Sequence, residues 1–149
     1  MTYCDLCVAE QQRRKQIVSE TRTMIYAHLQ VQEDDGASLL TSYSGYYLQI
    51  SFSEIHPLMV LCLARAMPNP SSGKQRQMTN ELNLQSILGS HAINDDVGCY
   101  SYRATHWLDN KMEASRFFEI LERCVDEANR GYHKLAGSIA KYQTDSCNN

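Results

Sequence analysis

The chain has 149 residues, 43% of them hydrophobic and 21% charged, with a formal net charge of −3. That length suits one soluble domain able to bury roughly 70% of its unfolded surface without cross-links. The acidic balance argues against a nucleic-acid binder, which needs a basic patch against phosphate, and no window reaches the ~18–20 apolar residues of a membrane span. No basic flank followed by an apolar core opens the chain, so no secretory signal is expected and a cytoplasmic setting follows.

Asp5 is placed to cap a first helix running from about Leu6 to His28. Its apolar side is spaced by threes and fours: Ile17, Thr21, Met24, Ile25, His28 and Leu29. The run Arg13-Arg14-Lys15 lies between Glu10 and Glu20 and reads as a solvated helix face. Leu29 to Gln32 is expected as a short strand, followed by an Asp34-Asp35-Gly36 turn. Ser44-Gly45 is a second turn. From Tyr46 to Ser53 the residues alternate, with Tyr46, Leu48, Ile50 and Phe52 on one side, the pattern of a half-buried antiparallel strand.

Leu58 to Ala64 is apolar on both sides and is expected as a strand. Such a strand needs cover on both faces. The set Met59, Leu61 and Leu63 is therefore expected to be the interface of a homodimer, because soluble monomers rarely leave a contiguous apolar patch bare. Pro68 to Gly73 is a linker. Lys74 to Asn83 reads as a short helix. Ile87–Asn94 and Cys99–Trp107 form a hairpin about Asp95-Asp96-Val97-Gly98. A last helix starts at the Asn110/Glu113 capping box, carries the stripe Phe117, Phe118, Leu121, Cys124, Val125 and Ala128, and is expected to stop at Gly131. Lys134 to Lys141 adds another turn or two, which makes one α+β domain over 1–143 with a disordered tail at 144–149.

Candidate chemistry is sparse. Cys4-x-x-Cys7 has the spacing of half a zinc site or a redox pair, but the chain supplies no second ligand pair and no strand before the motif. Incidental reduced thiols are the plainer reading, and no cofactor or metal is expected; a thiol- or zinc-dependent protein using Cys4 and Cys7 is the alternative. His91 and His106 fall on the paired strands and could face each other. There is no Gly-x-Ser-x-Gly elbow and no glycine-rich phosphate cradle, so no catalytic residues are assigned. Nine tyrosines are many. Strand preference explains most of them, but Tyr47, Tyr100 and Tyr102 are candidates for a partner-binding surface, where aromatics are enriched.

Asn80, Leu82 and Asn83 before a strand, Gly89 within it and Asp95 at its turn resemble the second half of the YbjN family, which shares its fold with type III secretion chaperones. The resemblance implies a bacterial protein with an α+β fold: a twisted antiparallel sheet with helices packed on it, in the order α-β-β-β-α-β-β-α. It also implies a homodimer that binds protein segments as a chaperone or adaptor, with no enzymatic residues to carry over.

Overall fold

The computed structural model describes residues 7–53, 56–67, 73–94 and 96–147. The elements are α1 (Val8–His28), β1 (Glu33–Asp34), β2 (Ser38–Tyr43), β3 (Tyr46–Phe52), β4 (Leu58–Ala66), α2 (Gly73–Gln85), β5 (Gly89–Asn94), β6 (Cys99–Trp107) and α3 (Ala114–Cys147). All six strands join one sheet in the order β1-β2-β3-β4-β6-β5, and every pairing is antiparallel. The expected α+β class and antiparallel sheet are both present, with one strand more than the sequence pattern announces. That strand is β2. It pairs with β3 across Ser44-Gly45, whose φ values of 52° and 86° are both positive. This is the two-residue turn whose twist matches that of paired strands, and glycine supplies half of it without strain.

α1 starts two residues later than the Asp5 cap implies. Cys7 is its N-cap, and the thiol accepts from the Glu10 backbone N–H at 3.4 Å; Cys4 and Asp5 lie outside the described residues. Ile17, Thr21 and Ile25 are the buried side of the helix. Thr21 belongs there because its hydroxyl donates to the Ile17 carbonyl at 2.7 Å and so leaves no polar group unpaired. His28 is exposed instead. Leu29 to Gln32 is irregular, and ladder pairing starts at Glu33↔Leu40.

One face of the sheet is closed by the helices. Tyr43, Tyr46, Tyr100 and Tyr102 all hydrogen-bond to α3 from that face. Leu39, Leu48, Ile50, Leu61 and Leu63 fill the layer beneath, with Phe117, Leu121, Cys124 and Ala128 of α3 above them. Met59, Leu61 and Leu63 are each 0% exposed, so they have no surface to offer a second copy. The expected interface is corrected by the ladder register. Leu63 pairs with Tyr102 and Leu61 with Ala104, which places all three on the helix side. The other parity of β4, with Val60, Cys62 and Ala64, faces away from the helices.

α3 is the longest element and does not stop at Gly131, nor does it begin at a capping box: it opens at Ala114, where Phe117 N–H donates to the Glu113 carbonyl at 2.9 Å, and it runs on to Cys147, into the stretch expected as a tail. Gly131 is there because of what it faces. A Cβ at this position would stand 2.4 Å from His91 Nδ1 and 2.9 Å from the Tyr100 hydroxyl. An exposed mid-helix Gly→Ala change usually stabilises by about 1 kcal/mol. Gly131→Ala is expected to destabilise by about 1–3 kcal/mol through overpacking instead, read as a lower urea midpoint; a rise in the midpoint contradicts the close approach.

Candidate functional site

A cluster of polar groups ties α3 to the β5–β6 hairpin. The Glu127 carboxylate is buried and accepts from three successive backbone N–H groups, those of Ile87 (3.0 Å), Leu88 (3.1 Å) and Gly89 (2.9 Å), and from the Tyr102 hydroxyl at 2.8 Å. Burial alone pushes this carboxyl up, but the four donors together outweigh it and hold the group below its ordinary value. Burial, and then the bond to Glu127, pushes the Tyr102 phenol upward. His91 sits beside this pair, its Nδ1 2.5 Å from the Tyr100 oxygen. Because the Tyr100 hydroxyl donates to the Ala128 carbonyl, His91 Nδ1 carries the proton toward Tyr100. Burial lowers the His91 pKa and keeps the ring neutral.

His91 and His106 do not meet. The register sets His91 opposite Tyr102, four residues along β6 from His106. His106 instead approaches the Cys124 sulfur at 3.9 Å, and burial raises that thiol to about 11, far from the thiolate form that reacts or binds metal. Among the described residues no three His, Cys, Asp or Glu side chains converge on a common point.

The same register sorts the three candidate tyrosines. Tyr100 and Tyr102 are buried in the core, which removes them from any partner surface, whereas Tyr47 is 63% exposed on the opposite face. That opposite face is bare of helices among the described residues. Its central cross-strand row runs Glu33, Leu40, Gln49, Cys62, Arg103, Ser90. On β2 to β6, Arg103 is the one charged side chain that this face carries among the described residues; serine, alanine, threonine, valine and cysteine make up most of the rest. Trp107, 67% exposed, stands at one end beside Leu58.

On the helix side, α1 stands away from the end of β2 and β3 and leaves a groove of about 950 Å³. Val18, Tyr26, Ala37 and Phe52 give it apolar walls, and Arg14, Lys15 and Arg22 line it with cations. No carboxylate lines it among the described residues. Arg22 is set by Asp34, at 2.5 Å, and Asp34 also accepts from the Tyr26 hydroxyl at 2.7 Å. The Tyr26 bond, Arg22 and the Gly36 N–H together hold the Asp34 carboxyl at about 2. Arg14 is oriented by Glu10 at 3.0 Å. Sequence reading missed this groove, since its walls come from positions near 18, 37 and 52 that only the folded chain brings together. The Arg13-Arg14-Lys15 run is its one local signal.

Both edges of the sheet carry features that disfavour an added strand. On β5, the Asn83 side chain takes both backbone groups of His91: the His91 N–H donates to Oδ1 at 2.6 Å, and Nδ2 donates to the carbonyl at 2.9 Å. Asn83 thus belongs to the structure as well as to the sequence motif. At the other edge, β1 is two acidic residues long. Short and charged edges resist strand pairing.

No protein-family model matches the chain, and no curated protein does. No helix among the described residues is long and apolar enough to cross a membrane. Two solved structures are similar in shape. A chain of the HopA1–SchA chaperone–effector complex aligns with a TM-score of 0.57 at 10% identity, over 87% of this chain and 99% of that one. YbjN from E. coli aligns with a TM-score of 0.61 at 8% identity, over 84% of this chain and 93% of that one. The fold of this chain is thus YbjN-like and is shared with a chain of a chaperone–effector complex, as the Asn83 and Gly89 motif implies.

Proposed function

We propose that the chain is a non-enzymatic protein-binding module, chaperone- or adaptor-like, that works as a homodimer in the cytoplasm and holds a segment of another protein in the groove beneath α1. The observation that carries this reading is the groove itself. Apolar walls together with Arg14, Lys15 and Arg22 suit a segment that alternates apolar and acidic side chains. The fold's occurrence in a chaperone–effector complex supports a partner of that kind. Binding by strand addition is disfavoured because Asn83 occupies the His91 backbone groups on one edge and a short acidic β1 stands at the other. The bare, weakly charged sheet face supports the dimer.

A photo-crosslinking residue at Ser19, inside the groove, is expected to trap a discrete protein partner in the native host. The same residue at Arg130, on the wet side of α3, is expected to trap none. Lys15→Glu reverses one of the three groove cations and is expected to reduce the Ser19 adduct about tenfold or more. Equal adducts at both positions, or an adduct indifferent to Lys15→Glu, refute binding in this groove.

A further inference from the structure

We infer that the open face of the sheet packs against the same face of a second copy about a two-fold axis running along β3, with Glu33 of each copy on Arg103 of the other. This rests on the homodimer of the reading above and gives it an interface. The central row is self-complementary when reversed. Gln49 on β3 is its midpoint, Leu40 and Cys62 lie one strand to either side, and Glu33 and Arg103 lie two strands to either side. At ~4.8 Å per strand both charges stand about 10 Å from β3.

A two-fold axis lying in the interface along β3 reverses the row onto itself. Glu33 then lies over Arg103, Leu40 over Cys62, and Gln49 over Gln49, where two amides can exchange hydrogen bonds. The adjoining rows agree. Tyr47, the most exposed aromatic on β3, meets its own copy at the axis, flanked by Ser42 and Ala64, which let the sheets approach. Two such faces pack about 10 Å apart with strands within about 30° of each other, an offset that long Glu and Arg side chains can span.

The side chains themselves indicate a missing partner. Glu33 is exposed on the edge strand, and its neighbour Asp34 points the other way, to Arg22 and Tyr26 of α1. Among the described residues neither Glu33 nor Arg103 has an ion-pair partner within its own chain. An axis at right angles to the strands through this row brings Arg103 onto Arg103, and like charges so placed are strongly unfavourable. The axis along β3 also leaves both α1 grooves facing outward and free.

Sedimentation of four proteins decides it: wild type, Glu33→Arg, Arg103→Glu, and the double exchange. Each single variant places two like-charge contacts in the dimer, so its dissociation constant is expected to rise about tenfold or more, while the double variant returns to within about threefold of wild type. Both side chains are exposed, so circular dichroism is expected to be unchanged. As an independent probe, Gln49→Cys, which a ~10 Å sheet separation keeps from a direct disulfide, is expected to give a covalent dimer with a short bis-maleimide, beyond any that the wild type gives. A wild type that stays monomeric to about 100 µM overturns both this interface and the homodimer. A dimer indifferent to both single variants overturns this face and leaves the homodimer standing. Single variants that weaken the dimer without rescue in the double overturn the Glu33–Arg103 pairing.

Discussion

Glu127→Ala is expected to lower the unfolding free energy by about 3–4 kcal/mol. The carboxylate serves four donors, those of Ile87, Leu88, Gly89 and Tyr102. Removing it strands the Tyr102 hydroxyl in the core and at least one N–H beside it, and each buried unsatisfied group costs about 1–3 kcal/mol. Amide exchange at Ile87 to Gly89 is expected to speed up with it. The pH dependence has a definite sign. The folded pKa lies below the ordinary 4.5, so the stabilisation is complete above about pH 4.5 and is lost as pH falls through the folded value. Glu127→Gln mimics the protonated acid, so its stability gap from the wild type is expected to be large at pH 7 and to close in acid. Burial keeps His91 and His106 neutral, so they too lose stability as pH falls, starting from about their ordinary 6.5, which is why the difference between the two proteins is the quantity to measure. A gap that stays constant from pH 7 into acid refutes an ionised Glu127.

Phe117→Ala is expected to cost about 3–5 kcal/mol, the range for removing a fully buried aromatic. Phe117 is 0% exposed and packs edge-to-face on Phe118, with ring centroids 5.3 Å apart. Since α3 is the roof of the whole core, no smaller element can slide in to fill the space. Leu121→Ala, equally buried, is expected to cost about 2–5 kcal/mol. A chemical-denaturation midpoint unmoved by either change refutes the role of α3 as the main core element.

The stripe of α3 was the most legible part of the chain, because a 3.6-residue period with large side chains allows one buried face only. Gly131 was not legible in the same way. A glycine after an apolar stripe marks a helix end and a close approach equally well, and only the His91 ring above it distinguishes the two. β4 was recognisable as a strand, yet both its parities are apolar, so nothing within it says which side meets the helices. Its neighbour in the sheet does carry that information. On β6, Ser101, Arg103 and Thr105 are the wet parity, and they leave Tyr100, Tyr102 and Ala104 for the core. Since β4 pairs with β6 directly, Met59, Leu61 and Leu63 follow them inward. Tyrosine misleads here because its ring suits a core whenever the hydroxyl finds an acceptor, as Tyr102 finds Glu127. The α1 groove was out of reach, since it belongs to no single segment.

The two bonds from Asn83 to His91 also bear on how large an assembly this chain can build. An antiparallel sheet with a free margin is a template that can be copied end to end without limit. Here one margin ends on a side-chain amide that imitates the next strand, and the other ends on two carboxylates. Growth through the margins is thereby disfavoured, and the helix-free side is a direction in which copies can stack. Were copies to meet there in the two-fold contact proposed above, that side would be used up in both molecules and association would close at two.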